Sequence, residues 1–297
     1  MNGICSSLRF GRALVIYNPT AGARRRRRMQ AVLDGLARHG CRTALLRTER
    51  RGDAEDGART AGRDGFDLVV AAGGDGTVNE VANGLAASDA PVPMAFLPLG
   101  TANVLAAEIG LAPTPAAVVA MIEAGRTRSI RLGLAEGRHF VLMASAGLDS
   151  AVVQGVDLAL KRATGKLAYG IEAVRQALAW PFPELTATID GVDHAARMVV
   201  VCKARCYGGP FLAAPQADLS DDRLQVVLLQ GRGLGALARY GAALAAGRLA
   251  LQPDVRIIAA HRLRLAGPAP LQADGDLVGM LPVDISVSDR TIDLVVP

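Results

Sequence analysis

The chain has 297 residues, 51% of them hydrophobic and 21% charged, and its 33 Lys and Arg exceed its 28 Asp and Glu to give a net charge of +5. That balance suits a folded chain long enough for two domains and leaves no case for extensive disorder. Aromatic residues make up only 4% and do not interleave with basic ones, so RNA or single-stranded DNA binding finds no support, and no apolar run approaches membrane-spanning length.

In chain order, the start Met1 to Phe10 lacks a long signal core, which leaves a cytoplasmic protein as the expectation. Ala13 to Tyr17 reads as a strand, and Pro19 places Asn18 on a loop at its carboxyl end. A helix then begins among Arg24 to Arg28 and turns Met29, Val32, Leu33 and Leu36 inward. Those five arginines suit an anionic membrane surface, a nucleotide phosphate or a solvated helix start. A strand from Cys41 to Arg47 leads to Thr48, and a helix over Asp53 to Gly62 leads to the next strand, Leu68 to Ala72.

That strand empties into Gly73-Gly74-Asp75-Gly76, ahead of a helix from Thr77 to Ala87. The glycines allow a tight turn and close backbone approach, and exposed amides at a helix start favour an anion. Asp75 would repel phosphate unless it binds a metal, meets a cation or hydrogen-bonds the turn. The loop has neither the Walker A pattern nor Gly-x-Gly-x-x-Gly spacing. Pro93 to Pro98 follows as a short apolar strand, then Gly100-Thr101 and an alanine-rich helix through Ala107. Alternating strands and helices predict a parallel sheet whose loops gather at the carboxyl ends of the strands.

After Pro113-Thr114-Pro115 a helix runs to Glu123 and stops at Gly125. The texture then changes to strands at Thr127 to Leu134, Arg138 to Ser145, Leu185 to Ile189, Ala196 to Lys203, Arg223 to Leu229 and Val255 to Leu265. This pattern predicts a second, largely antiparallel domain beginning near residues 125 to 130, and Thr291 to Val296 makes a terminal apolar strand. Cys5, Cys41, Cys202 and Cys206 fit neither a two-pair zinc site nor a secreted disulfide scaffold. His39, His139, His194 and His261 are scattered, with no Gly-x-Ser-x-Gly context to anchor a hydrolase.

The glycine-rich loop, taken with Asn18-Pro-Thr-Ala-Gly22, Pro98-Leu-Gly-Thr-Ala-Asn103 and Ala273-Asp-Gly-Asp276, resembles the diacylglycerol kinase catalytic family, especially its bacterial soluble lipid kinases. The motifs run in order across almost the whole chain. The resemblance implies a two-domain NAD kinase/diacylglycerol kinase-like fold. Its parts are a doubly wound α/β nucleotide domain over residues 1–128 and a β-rich sandwich over 129–287, with the last strand, 288–297, returning to the first. It also implies an ATP- and Mg²⁺-dependent lipid kinase with a cleft between the domains.

Carried over residue by residue, the resemblance assigns ATP to Asn18, Thr48, the run Gly73, Gly74, Asp75, Gly76, Thr77 and Val78, and Thr101. It assigns a structural Mg²⁺ to the Asp221 side chain and the carbonyls of Asp218 and Arg223, and a catalytic pair to Asp274, the general base in the resemblance, and Asp276, which stands where relatives carry glutamate; the sequence leaves open which of the two takes the proton. Two further departures are Val104, where many relatives have an acidic residue, and Asp222, where glycine is usual. Read from the residues alone, Asn18 and Thr48 also suit simple turns or caps, the acidic run a solvated turn, and Asp274-Gly275 a hairpin. A basic helical segment from Leu158 to Ile171, continuing to Trp180, resembles one that borders an acyl groove and would set Lys161, Arg162 and Lys166 near lipid headgroups. The implied partners are a lipid alcohol and, transiently, an anionic membrane at the inner face; a homodimer is left open. Alternatives are an NAD kinase-like enzyme and a nucleotide-regulated lipid-binding protein with weak or no catalysis.

Overall fold

The computed structural model describes residues 9–19, 23–155 and 180–297. The segment carrying Lys161, Arg162 and Lys166 lies outside the described residues, as do Thr20, Ala21 and Gly22. The chain divides into two compact units: residues up to Arg131 together with Asp289–Pro297, and Leu132–Ser288.

The first unit alternates strand and helix: β1 (Arg12–Tyr17), α1 (Ala23–Arg38), β2 (Arg42–Arg47), α2 (Asp53–Thr60), β3 (Leu68–Gly73), α3 (Asp75–Ala86), β4 (Met94–Pro98), α4 (Val104–Glu108) and α5 (Pro115–Ala124). The strands lie in the order β2-β1-β3-β4 and all pair in parallel. β3 and β4 are buried at every position, as strands covered on both faces must be. α1 buries Val32, Leu33 and Leu36 while exposing Arg24, Arg26 and Arg27, which is the amphipathic stripe that the sequence spacing predicts. α2 and α3 pack backbone to backbone, since a Cβ on Gly84 would fall 2.1 Å from the Glu55 carbonyl oxygen. α5 opens on a Thr114 cap, whose hydroxyl accepts from the Ala117 amide at 3.2 Å, and closes on Gly125 at φ 60°.

β5 (Thr127–Ala135) carries the chain into the second unit. There follow β6 (Arg138–Phe140), β7 (Met143–Ala146), α6 (Leu148–Gly155), β8 (Leu185–Ile189), β9 (Val192–Ala196), β10 (Met198–Cys202), β11 (Cys206–Tyr207), β12 (Phe211–Leu212) and β13 (Leu224–Leu229). A helix, Gly233–Ala245, separates these from β14 (Val255–Ala260), β15 (Arg262–Ala266), β16 (Pro270–Ala273), β17 (Asp276–Met280) and β18 (Val283–Val295). Six strands form an antiparallel sheet in the order β14-β13-β10-β7-β16-β17, while β15 pairs antiparallel with both β8 and the start of β18. Alternate residues of the two sheets, Leu185, Ala187 and Ile189 from one and Leu224, Val226 and Leu228 from the other, meet in one apolar core. This gives an α/β unit followed by a β-rich sandwich, the two-part architecture that the change in sequence texture predicts. The far end of β18 pairs in parallel with β4, Leu294 opposite Met94, within the first unit.

Of the element boundaries that differ from the sequence reading, three have a clear local reason. Arg138 to Ser145 reads as one strand but is interrupted at Val141 and Leu142, whose amides turn onto the carboxylate of Asp274. Val255 to Leu265 also reads as one strand, yet it breaks at His261, where the chain leaves the sheet of β13 and joins that of β8. The helix after the glycine-rich turn starts at Asp75, not Thr77, because the Val78 amide already bonds the Gly74 carbonyl at 3.2 Å.

Candidate active site

In the first unit, the parallel register brings four of the predicted loops to one edge. Tyr17 lies opposite both Arg47 and Ala72, and Gly73 opposite Pro98, so Asn18, Thr48, Gly74 and Thr101 follow the carboxyl ends of four neighbouring strands. Thr48 is tied to β1, its amide and hydroxyl donating to the Tyr17 carbonyl at 3.0 and 3.3 Å. Asn18 and Thr101 are exposed.

The two glycine turns touch. The Leu99 amide donates to the Gly73 carbonyl at 2.7 Å, and a Cβ on Gly100 would fall 2.5 Å from the Cα of Gly74. A Cβ on Gly73 would meet the Thr77 hydroxyl at 2.2 Å, whereas one on Gly76 would meet nothing within 4 Å. The glycines at 74 and 100 thus permit a backbone contact that a side chain would crowd, and Gly73 leaves room for the Thr77 side chain. Asn103, left-handed at φ 48°, staples the second turn: its Oδ1 accepts from the Gly100 amide at 2.8 Å, and its Nδ2 donates to the Gly100 carbonyl at 3.1 Å.

Asp75 reaches past its own turn to the start of α4. Its carboxylate accepts from the Leu105 amide at 3.3 Å, at the start of α4. Burial pushes its pKa up, against the lowering pull of amides at Leu105, Val104 and Asn103.

In the second unit, Asp274 and Asp276 share the β16–β17 hairpin, with Ala273 paired to Asp276. Asp274 stands at φ 49° and only 9% of it is exposed. Its carboxylate accepts three backbone N–H groups, from Val141 at 2.6 Å and from Leu142 and Met143 at 3.0 Å each, and its own amide donates to the Met143 carbonyl at 2.9 Å. Asp276 is half-buried.

Behind this hairpin runs a buried polar network that sequence reasoning did not identify. Gln272 accepts from the Gly275 amide at 2.7 Å and donates to the Ser145 hydroxyl, which donates to Asp149. Asp149 accepts also from the Tyr207 hydroxyl at 2.9 Å and the Ser150 amide at 2.8 Å. Burial raises the Asp149 pKa, while these hydroxyl, amide and Gln272 donors oppose the rise. The available signal was a lone carboxylate in the otherwise apolar or small-residue stretch Val141 to Val153.

The predicted metal ligands Asp218, Asp221 and Arg223 lie on one turn ahead of β13, where two of the three assigned oxygens already meet donors of this chain. The Asp218 carbonyl accepts from the Asp221 amide at 3.1 Å, and the Asp221 carboxylate meets the Arg223 guanidinium at 3.4 Å. Lys203, with 0% of its surface exposed, donates its side-chain amine to the Asp221 carbonyl. For Asp221, burial would raise the pKa, but hydrogen bonds from Asp222 and Arg223 and the Arg223 charge outweigh it and lower it. A divalent ion at this turn would face a buried amine and a guanidinium, so the donor set does not fit the Mg²⁺ that the resemblance implies. Among the described residues no three His, Cys, Asp or Glu side chains form a metal cage elsewhere. Lys203 was readable only as an odd residue at the end of the apolar run Met198 to Cys202.

Residues 12–135 match the family described as Diacylglycerol kinase catalytic domain, and residues 142–296 match the YegS C-terminal NAD kinase beta sandwich-like domain. The chain belongs to the diacylglycerol kinase catalytic family. Within that family it is similar to a diacylglycerol kinase of Bacillus subtilis (strain 168), 29% identical over 292 residues that cover 96% of each chain. It is likewise similar to a diacylglycerol kinase of Staphylococcus aureus (strain MRSA252), 27% identical and covering 96% of this chain and 92% of that one. A crystal structure of a diacylglycerol kinase from Bacillus anthracis str. Sterne shares the fold with a TM-score of 0.74 at 19% identity, covering 97% of this chain and 98% of that one. Another structure from the same strain reaches a TM-score of 0.81 at 22% identity, over 100% of this chain and 99% of that one.

Proposed function

We propose that this family member is a lipid kinase that takes MgATP as donor and phosphorylates a hydroxyl of a lipid such as diacylglycerol. The observation that carries the reading is the contact between the Gly73–Gly74 and Gly100 turns at the carboxyl ends of adjacent parallel strands. Side chains are excluded there, so backbone amides and the Thr77 and Thr101 hydroxyls can approach phosphate oxygens. The Mg²⁺ that accompanies ATP supplies charge neutralisation on the phosphates. Asn18 and Thr48, on the neighbouring loops, orient the nucleotide.

In the second unit, Asp274 is the general base. Three amides hold its carboxylate in place. A loose phosphoryl transition state asks mainly that the hydroxyl be oriented, so a carboxylate fixed by backbone amides suits the role. Asp276 lies across the hairpin from Ala273 and steadies the same turn.

Among the described residues no helix is long and apolar enough to cross a membrane. Access to a lipid is assigned instead to the exposed arginines 24, 26 and 27 of α1, a helix with no acidic residue in its first turn to neutralise them. A cytoplasmic protein that docks at the inner membrane face follows from that reading.

The test is transfer of labelled γ-phosphate from MgATP to a total lipid extract, with NAD as a parallel acceptor and products identified by mass. A labelled lipid that disappears in Asp274→Asn supports the proposal and names the acceptor. Label on NAD would move the assignment to an NAD kinase-like enzyme. Nucleotide binding without transfer across lipid classes would leave a nucleotide-regulated lipid-binding protein.

A further inference from the structure

The acidic turn before β13 poses an electrostatic problem. Asp218, Asp221 and Asp222 put three carboxylates within five residues, where the resemblance calls for a glycine and a bound cation. The structure meets that charge from within the chain. Lys203 extends from the end of β10 with none of its surface exposed, and its side-chain amine ends on the Asp221 carbonyl. A buried ammonium is costly unless it is hydrogen-bonded and set among opposite charge, and its contact here is with the backbone of the acidic turn. Arg223 contributes a second cation at 3.4 Å from Asp221, but that pair is largely exposed and contributes little.

We infer that Lys203 is an internal replacement for the divalent ion, so that this turn is organised without metal. The consequence reaches the Asp274 hairpin. The Lys203 and Ala204 amides donate to the Leu142 carbonyl at 2.8 and 3.0 Å, and the Leu142 amide donates to the Asp274 carboxylate at 3.0 Å. Lys203 therefore fixes the acidic turn with its side chain and the segment that clamps Asp274 with its backbone. Its place in the chain is that of a positioning residue.

The inference is independent of the kinase reading, because its test needs neither nucleotide nor lipid. The thermal midpoint of the full chain is measured in chelator and in millimolar Mg²⁺, and Mn²⁺ binding is followed by loss of the free-ion electron paramagnetic resonance signal. The wild type should shift by less than about 1 °C and leave the Mn²⁺ signal undiminished. Lys203→Met, which keeps the stem and removes the charge, should melt about 5 °C lower or more and should gain a Mg²⁺-dependent recovery.

A wild-type Mg²⁺ or Mn²⁺ response that Asp221→Asn abolishes would overturn the inference. One that survives Asp221→Asn places the ion elsewhere and leaves the turn metal-free as inferred. A Lys203→Met protein with the wild-type midpoint would also overturn it. Should that variant fail to fold, the wild-type response and its Asp221→Asn control still decide.

Discussion

The glycine-turn edge of the first unit and the Asp274 hairpin of the second are built in opposite ways. The first relies on what is missing, since the turns at Gly73–Gly74 and Gly100 touch because no Cβ stands between them. The second relies on what is satisfied, with Asp274 holding three amides and Gln272, Ser145, Asp149 and Tyr207 linked behind it. One region should fail by steric intrusion and tolerate changes of polarity; the other should fail when a single acceptor is lost.

The largest effect is expected from Asp274→Ala, which strands three buried amides at about 1–3 kcal/mol each. Denaturant melts should show a loss of several kcal/mol alongside abolished transfer. Asp274→Asn retains one oxygen but turns an NH₂ toward amide donors, so it should fall between the alanine variant and wild type in stability. A melt unchanged by Asp274→Ala would mean that the clamp is not part of the folded protein's energetics.

Next comes Gly100→Ala, whose Cβ would lie 2.5 Å from Gly74 Cα and 2.7 Å from Asn103 Oδ1. Overpacking of this kind costs about 1–3 kcal/mol, and nucleotide affinity measured by titration should fall with it. Gly76→Ala, in the same loop but with open space around the new methyl, should keep its affinity and gain up to about 1 kcal/mol of helix stability. Equal damage from both substitutions would refute the steric account.

A smaller, pH-dependent difference should separate Asp75→Asn from wild type. The folded pKa of Asp75 lies above the ordinary carboxylate value of 3.8, because burial penalises its charge. Its favourable contribution is therefore complete below 3.8 and lost as pH rises through the folded value. Replacing it with a neutral isostere should leave stability unchanged in acid and raise it relative to wild type at neutral pH. Melting curves across that range would read the sign directly.

The smallest effect belongs to a control away from both regions. Asp254, held down to about 2 by Arg239, accepts also from Tyr240, whose own pKa burial lifts to about 12. The stabilisation from Asp254 is present above 3.8 and is lost as pH falls toward 2. Asp254→Asn should flatten that acid limb by a small amount, as an exposed pair does, without altering nucleotide affinity.

The same contrast explains what could be read from the residues in advance. The parallel unit was legible because helix and strand periodicities alternate and glycines cluster where strands end. The antiparallel unit was legible as a class, through short alternating runs such as Leu185 to Ile189. Where it was misread, long-range contacts decided: nothing near Val141 announces that Asp274, more than a hundred residues on, will break the strand. Lys203 and Asp149 escaped notice for the same reason, as single polar residues whose partners are remote in sequence. The Mg²⁺ ligands carried over by resemblance show the complementary limit of motif reading, since a motif transfers residue types while their partners, Lys203 among them, belong to this chain.

β18 carries one more consequence. Its last residues bury Ile292, Leu294 and Val295, set Leu294 beside Met94, and close with the Val296 amide on the Arg126 carbonyl at 2.9 Å. A ribosome making this chain thus delivers nearly all of the first unit early and its final sheet strand last. Until residues 289–297 emerge, β4 presents an unpaired edge to the cell, and the nascent first unit waits, incomplete, through the synthesis of the whole sandwich.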